Sequence, residues 1–258
     1  MLYDINGKAV NIIVKDEQVK LPESLRRKIL ENFENMRRSG ANIWNGNLLC
    51  VSDVDIGNST VNLICKKSDY AHYLYGEHIG CPIEYECRNL SAGCFLETID
   101  GYYVIGELDD TTSYPSMLQT TGGGIDKKDI SDGKINVEQT IIREALEELN
   151  INLNDSNTVL YNNLNYIFVS GENEQPGVQI FSKAQIKMTS REMEEYFQEY
   201  NKYLRANGLE IEFKKLHFLK RENAILELEK LNNPYRAYLK PLILADSRKK
   251  SRDDIESR

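Results

Sequence analysis

The stretch from Thr121 to Ile151 constrains this sequence most, because a run of glycines is followed by a strongly patterned helix. Asn136 stands where that helix would begin, and Gln139 follows at the spacing of a capping box. Asn150 tolerates the left-handed backbone that often ends a helix. The apolar residues that recur at helical spacing are Ile141, Ile142, Ala145, Leu146 and Leu149. The pattern predicts an amphipathic helix between Asn136 and Asn150.

Three carboxylates gather on one side of this helix. Glu147 and Glu148 follow Glu144 by three and four residues, so both are neighbours of Glu144 on the helix surface. Like charges at this spacing cost stability, whereas a divalent cation would neutralise them, and Mg²⁺ prefers carboxylate oxygens. Arg143 adjoins the cluster and can orient one carboxylate. The arrangement predicts a metal site that takes Mg²⁺ or Mn²⁺.

The glycines supply the second half of the predicted site. Gly122, Gly123 and Gly124 follow a β-like stretch and permit unusual dihedrals and close backbone approach. Their carbonyl groups can face a metal ion, and their backbone can lie close to a phosphate.

The segment REALEELNI, from Arg143 to Ile151, resembles the core of the Nudix box, and GGGID resembles its glycine-rich start. The resemblance implies that Glu144 is a catalytic base or metal ligand and that Arg143 holds it in place. It implies that Glu147 and Glu148 bind metal, together with the Gly122 carbonyl. It also implies that Gly123 and Gly124 bind the substrate. The implied fold is α+β, an α/β/α sandwich with a mixed β-sheet between helices.

The sequence departs from the box in three ways. Gly123 and Arg143 are twenty positions apart instead of fourteen, so six residues are inserted, most simply between Asp126 and Gly133. The first glutamate of the box is missing. Counting back from Arg143 places Ile135 there, and counting forward from Gly123 places Asp129 there. Asp129 and Asp132 are both candidates to replace it. Finally, Asn150 replaces the box glycine.

An additional acidic ligand often comes late in a Nudix chain, just before an edge strand. Glu210 and Glu212 occupy that place here, and ordinary surface carboxylates are the alternative interpretation. Many family members also carry an arginine after the second hairpin strand, where this chain has Gly106 to Asp110. Lysines in the insertion are the alternative source of positive charge: Lys127, Lys128 and Lys134.

The chain is longer at its front than a minimal Nudix domain. We expect an N-terminal elaboration over 1–88, a Nudix domain over 89–245 and a charged, disordered tail over 246–258. The front segment and the expanded box resemble, more weakly, Nudix hydrolases that act on UDP-sugars. Trp44 and Tyr73 are therefore candidates for contacts with a base or sugar, although packing roles are the alternative.

Several other elements follow from local patterns. A helix is predicted from Pro22 to Gly40, and a β-hairpin from Asn89 to Asp109 with its turn at Asp100-Gly101. Later strands are predicted over three ranges, which are Tyr166–Ser170, Val178–Ala184 and Ile211–Leu219.

Composition limits the partners. The net charge of −8 and the pI of about 5.1 argue against nucleic-acid and membrane-surface binding, because both favour a basic face. Five scattered cysteines without a C-x-x-C spacing fit a reduced, cytoplasmic protein. We therefore expect a metal-dependent pyrophosphohydrolase of a small nucleoside-diphosphate compound, with a homodimer left open. The alternatives are a nucleoside triphosphate or ADP-ribose hydrolase, and a non-catalytic Nudix-fold module that binds nucleotides.

Overall fold

The computed structural model describes residues 1–40, 43–131, 134–171 and 177–256, and it leaves undescribed the side chains of Lys127, Ile130, Ser131 and the residues from Lys250 onward. The strands in this part of the chain are β1 (Leu2–Asp4), β2 (Ala9–Gln18), β3 (Asn47–Ile56), β4 (Thr60–Asp69), β5 (Asn89–Glu97), β6 (Tyr102–Leu108), β7 (Leu118–Gln119), β8 (Thr121–Gly124), β9 (Ile130–Ser131), β10 (Lys134–Ile135), β11 (Val159–Val169), β12 (Gly177–Ile186) and β13 (Phe213–Lys220). The helices are α1 (Glu23–Arg38), α2 (Tyr70–His78), α3 (Val137–Leu149), α4 (Ser190–Ala206), α5 (Ala224–Lys230) and α6 (Leu239–Glu256).

Eleven of these strands form one mixed sheet. Its main path runs in the order β1, β11, β12, β5, β3, β4, β2, and it joins β12 to β5 and β2 to β4 in parallel. β8 pairs with β5, and β6 pairs with β13, β5 and β7. The short strands β9 and β10 pair with each other, and β9 lies within the insertion that the sequence predicts while β10 follows it.

Helices cover both faces of the sheet because its strands alternate between two apolar cores. Even-numbered residues of β5, such as Ala92 and Cys94, pack with Ile141 of α3 and with α4. Odd-numbered Phe95 packs with Leu242 of α6 and with α5. The predicted α+β class, with a mixed sheet between helices, is confirmed. Among the helices of the described ranges, none is both long and apolar enough to cross a membrane.

The N-terminal segment, 1–88, extends this same sheet. β1 pairs with β11, while β3 meets β5 at Cys50 opposite Asn89. The predicted helix at 22–40 is confirmed as α1, which packs with α2 in a small third core. The division of the chain at residue 88 stays a prediction.

The predicted hairpin forms its turn but not its ladder. The Thr98 amide donates to the Tyr102 carbonyl at 2.9 Å, and Gly101 has the positive φ of 84° that such a turn requires. Beyond the turn the two strands pair only at Glu97 and Tyr103. β5 then pairs with β12 and β8, and β6 pairs with β13 and β7, because each arm has a longer partner elsewhere.

A buried ion cluster fixes α6 to the sheet. The Lys183 ammonium lies 3.0 Å from Glu97 and 3.1 Å from Asp246, and it is 4.5 Å from the ring centroids of both Phe95 and Tyr103, which stack on each other. Burial lowers the pKa of Lys183, although Asp246 opposes that shift. The predicted disordered tail, 246–258, therefore begins at a residue held in the core, and α6 continues to Glu256.

Removing the cation of this cluster should destabilise the fold strongly. Lys183→Met leaves two buried carboxylates without their shared partner, and breaking a buried ion pair in this way costs about 3–5 kcal/mol. Urea unfolding measures the loss. Lys202→Met, which removes an exposed lysine paired with Glu199 on α4, is the matched control and should change little. Equal losses in the two variants would contradict the structural role of the cluster.

Candidate active site

The helix α3 sets the direction of three acidic side chains in the candidate site, those of Glu144, Glu147 and Glu148. At the start of the helix, the Asn136 side chain accepts a hydrogen bond of 3.1 Å from the Gln139 amide. At its end, Asn150 has the left-handed backbone conformation, with a φ of 55°. The apolar side of the helix is buried against the sheet through Ile141, Ala145 and Leu149. Both predicted caps and most of the apolar stripe are confirmed, although Leu146 is exposed. Because that side is fixed in the core, the carboxylates lie toward the glycine strand β8.

Glu148 is the most deeply buried of the three helix carboxylates. Its Oε2 accepts hydrogen bonds from the Thr121 hydroxyl and, at 3.0 Å, from the Gly122 amide. Burial raises the pKa of Glu148 well above its usual 4.5, and the charges of Glu144 and Glu212 raise it further. The fold therefore holds this carboxyl in a place where its ionised form needs a cation.

Glu144 lies directly over the second glycine. A Cβ atom on Gly123 would stand 2.5 Å from the Glu144 Oε1, so any larger residue at this position would displace the carboxylate. Arg143 contacts the same oxygen at 2.7 Å through its Nη1. Burial raises the pKa of Glu144 to about 7 in spite of this guanidinium.

The other two glycines have different reasons to be glycine. Gly122 has a φ of 148°, and a Cβ there would lie 2.5 Å from the carbonyl oxygen of Ala92 on the neighbouring strand. Gly124 has room for a side chain, but its carbonyl oxygen accepts a hydrogen bond of 3.2 Å from Nη2 of Arg143. The first two glycines let β8 lie flat against β5 and under the carboxylates, and the third helps to hold Arg143.

Asp129 is the main partner of Arg143. Nε of the guanidinium binds one carboxylate oxygen of Asp129 at 3.1 Å and Nη2 binds the other at 2.9 Å. Burial raises the pKa of Asp129, but hydrogen bonds from Arg143 and from the Asp126 amide outweigh burial, and the pKa is lowered. Asp129 thus occupies the place that the forward count from Gly123 gives to the missing box glutamate. Asp132 lies outside the described residues.

Glu147 lies at the solvent side of the cluster. Its side chain is 53% exposed, and its Oε2 contacts Nη1 of Arg143 at 3.1 Å. The structure therefore gives the three predicted helix carboxylates different surroundings: Glu148 buried, Glu144 beneath Arg143, and Glu147 at the rim.

Glu212 is the fourth carboxylate of the site. Its backbone carbonyl accepts the Asp109 amide at 2.8 Å, which fixes the entry to β13. Its charge raises the pKa of both Glu144 and Glu148, so its side chain lies within electrostatic reach of both. Glu210 and Glu212 are both exposed, and the charge of Glu210 acts on Glu212. Of the two late glutamates, Glu212 is the one that the fold directs toward the helix.

The site offers oxygen donors that suit a cation, although their side chains do not converge closely. Among the residues that the structure describes, no three acidic, histidine or cysteine side chains converge closely enough to form a ready metal cluster. The oxygen donors nevertheless suit Mg²⁺ or Mn²⁺. Glu212 raises the pKa of both Glu144 and Glu148, and Glu144 raises the pKa of Glu148, so a divalent ion would relieve their repulsion. The residues present therefore fit a divalent metal.

Arg236 is the functional candidate that the sequence did not reveal. It lies in the loop after α5, and its backbone amide donates a hydrogen bond of 3.0 Å to the carbonyl of Leu118 on β7. The guanidinium lies over the Tyr114 ring at 4.2 Å and 3.6 Å from the Glu77 carboxylate, and its charge lowers the pKa of Glu212. No local pattern around Pro234 indicates this position, because only the pairing with β7 brings the loop to the site.

The two aromatic candidates differ in their surroundings. Tyr73 on α2 is half-buried and lies within the electrostatic reach of Arg236, beside a small cavity that Arg236 and Gln179 also line. Trp44 is 75% exposed in the loop before β3. The fold brings Tyr73 toward Arg236, and a role of Trp44 in the site stays a prediction. Of the predicted lysines, Lys128 and Lys134 are exposed, and the side chain of Lys127 lies outside the described part.

Comparison with known proteins adds little beyond this geometry. No protein-family model matches the sequence, and no curated protein matches it. The crystal structure of DR0079 from Deinococcus radiodurans is similar at 15% identity and a TM-score of 0.39, over 60% of this chain and 81% of that one. A NUDIX hydrolase from Nitrosomonas europaea is similar at 13% identity and a TM-score of 0.38, over 63% and 90%. Similarity at this level does not assign the chain to a family.

Without metal, Glu148→Gln should stabilise the protein at alkaline pH. A raised pKa means that the folded state holds its proton longer than the unfolded state, so the stability contributed by this group falls as pH rises above about 4.5. At pH 8, with a chelator present, the free energy of unfolding of the variant should exceed that of the wild type by on the order of 1 kcal/mol. This difference should vanish near pH 4.

Chemical unfolding at the two pH values measures this gain. Glu147→Gln, a change on the same helix at a half-exposed position, is the control and should show no comparable gain. A Glu148→Gln variant that is less stable than the wild type at pH 8 would show that its hydrogen bonds outweigh its charge.

Proposed function

We propose that the protein is a metal-dependent pyrophosphohydrolase of Nudix type, which cleaves the phosphoanhydride of a nucleoside diphosphate joined to another group, such as a sugar. The observation that carries the proposal is the contact of Glu144 and Glu148 with Gly123 and Gly122, backed by the Arg143–Asp129 pair. Stability alone does not explain why the buried side of α3 presents two neighbouring carboxyl groups to the glycine strand β8.

In this proposal, divalent metal is held by Glu144, Glu148 and Glu212, with Glu147 at the rim and the Gly122 carbonyl as a further oxygen. Such an ion, when bound, would neutralise charge on the pyrophosphate and make a water molecule more acidic. The protein itself contributes the orientation. Arg143 holds Glu144 at 2.7 Å and is itself held by Asp129, so the carboxylate has little freedom. Glu144 is either a metal ligand or the base that accepts the proton of the attacking water.

Arg236 is the cation proposed to bind the substrate phosphates. It lies near Glu212, its guanidinium fork matches the geometry of phosphate oxygens, and the ring of Tyr114 restricts its position. Tyr73 on one side of Arg236, and Trp44 in the loop before β3, are the proposed contacts of the base or sugar.

The function is tested by turnover of a substrate panel with Mg²⁺ or Mn²⁺. The panel contains UDP-sugars, other nucleotide-sugars, ADP-ribose, dinucleotides and nucleoside triphosphates, and the products are separated by ion-exchange chromatography. Preference for a nucleotide-sugar supports the proposal, and preference for ADP-ribose or triphosphates supports the corresponding alternative. Nucleotide binding without turnover of any compound would contradict the proposed enzymatic function and would favour a nucleotide-binding module.

Glu144→Gln should abolish most of the turnover while the protein stays folded. The change keeps the shape of the side chain and removes the charge over Gly123, and loss of one acidic catalyst commonly costs about 10²–10⁴ in rate. Glu195→Gln, which alters an exposed glutamate on α4, is the matched control. If folded Glu144→Gln keeps the wild-type kcat, Glu144 is not the principal carboxylate.

Arg236→Lys should raise KM about tenfold or more and change kcat less. A lysine keeps the charge but loses the planar fork, and a charge-assisted hydrogen bond is worth about 1.5–3 kcal/mol. Steady-state kinetics on the best substrate of the panel measures the effect, and Arg191→Lys on α4 controls for the exchange itself. An unchanged KM in a folded variant would remove Arg236 from the phosphate site.

A further inference from the structure

The helix α2 of the N-terminal segment reaches Arg236, the proposed phosphate-binding residue, through one buried carboxylate. Glu77 lies in the last turn of α2, and its side chain is 1% exposed. Its Oε2 accepts a hydrogen bond of 2.6 Å from the Tyr114 hydroxyl and lies 3.6 Å from Nη1 of Arg236. Burial raises the pKa of Tyr114, so its hydroxyl keeps the proton that it donates. Segments that are distant in the sequence therefore meet at one oxygen atom of Glu77.

Further contacts tie the same segments together. The hydroxyl groups of Tyr70 on α2 and Ser113 in the loop between β6 and β7 lie 3.1 Å apart. The side-chain amide of Asn233, in the loop after α5, donates a hydrogen bond of 3.0 Å to the Ser116 carbonyl. The carboxylate of Glu77 is therefore held in place by contacts beyond its own ion pair.

Arg236 has a second carboxylate within its electrostatic reach. Burial raises the pKa of Glu212, a proposed metal ligand, and the charge of Arg236 opposes that shift. The guanidinium lies 4.2 Å from the centroid of the Tyr114 ring, and its Nε donates to the Gln119 side chain at 3.4 Å. The Arg236 side chain is nevertheless 13% exposed, so part of it stays open to a ligand. A guanidinium with two carboxylates in reach pairs with the better placed one, and here Glu77 competes with Glu212.

Stability does not explain a carboxylate at the position of Glu77. Its Oε1 is buried and has no hydrogen-bond partner among the residues that the structure describes. A buried charged oxygen without a partner costs free energy, and apolar side chains of similar volume often stabilise a fold as well as a buried ion pair or better. This cost is understandable if Glu77 orients a cation that binds a ligand.

We infer that Glu77 is a positioning residue, which holds the Arg236 guanidinium in competition with Glu212 and so keeps it ready for the diphosphate group of the substrate. The inference deepens the proposed function and rests on it, because that function gives Arg236 its ligand. It also gives the N-terminal segment a direct part in the candidate active site, since α2 supplies the carboxylate. Removing the charge of Glu77 leaves the guanidinium to Glu212, which weakens the binding of phosphate groups.

Binding of methylenediphosphonate, a diphosphate analogue that resists hydrolysis, tests this role in the full chain. Isothermal titration calorimetry with Mg²⁺ present measures the dissociation constant. Glu77→Gln keeps an oxygen acceptor for the Tyr114 hydroxyl but removes the charge, and it should raise this constant about threefold to tenfold. Glu31→Gln, at an exposed glutamate of α1 paired with Arg27, is the matched control and should leave it unchanged. Unchanged or tighter binding by folded Glu77→Gln would overturn the inference.

A double-variant cycle separates positioning from a general effect on the fold. In the Arg236→Gln background Mg²⁺ still offers the probe a partner, and Glu77→Gln should cause no further loss of affinity because it acts through the guanidinium. A merely structural role of Glu77 predicts the same fold-loss in both backgrounds, and that result would contradict the inference.

Tyr114→Phe decides the matter if Glu77→Gln does not fold. This change removes the hydroxyl that holds Glu77 and keeps the ring next to Arg236, so it should weaken probe binding about twofold to threefold. Tyr203→Phe, at an exposed tyrosine of α4, is its control. Equal affinities of these two variants would overturn the inference.

Turnover distinguishes this inference from the proposed function. If the wild type turns over a compound of the panel, Glu77→Gln should raise KM by about the same factor as the dissociation constant of the probe and change kcat less. Turnover with no effect of Glu77→Gln on KM would overturn the inference and leave the function standing. If the wild type turns over no compound, the function fails, and the probe still decides: loss of affinity through Glu77 and Arg236 supports the inference, and no binding of the probe overturns it.

Discussion

The guanidinium of Arg143 is the interaction on which the candidate active site depends. It reaches the insertion through Asp129, the glycine strand through the Gly124 carbonyl, and the helix carboxylates through Glu144 and Glu147. The glycine strand, the insertion and the helix are therefore fixed relative to one another by one planar, permanently charged group. A lysine also has three N–H donors, but they share one nitrogen, so it could not reach acceptors as widely spread as these.

The same site is a place where the fold gives up stability. Glu148 is buried with Glu144 and Glu212 in electrostatic reach, and burial raises the pKa of each of these carboxyls. Apolar residues of similar size would suit the free energy of folding better. The caps at Asn136 and Asn150 and the apolar side of α3 offset that cost, because they hold the helix in place whatever the ionisation of its other side.

The sequence alone predicts α3 well, because its caps, apolar spacing and carboxylates are all local signals. The count forward from Gly123 names Asp129, and the structure brings this carboxylate to Arg143, while its role in place of the box glutamate stays a prediction. It does not reveal Arg236 or the different surroundings of Glu144, Glu147 and Glu148, because these depend on which strands meet in space. The hairpin at Asp100 shows the same limit: local turn chemistry predicts the turn, but pairing energies elsewhere decide that β5 and β6 separate.

The order of the strands has a consequence for the shape of the sheet. β1 and β2 end the main path on opposite sides, six inter-strand steps apart, which is roughly 29 Å in a flat sheet. Only five residue steps separate Asp4 from Ala9, and they span at most about 18 Å. The seven strands therefore do not lie side by side in one flat sheet. The path has room to turn where β3 meets β5 at a single residue pair, and Ile5 lies in the core that also contains residues of β4, β5 and α3. The first eight residues thus join the two ends of the strand path, so that β1 and β2 cannot move far apart.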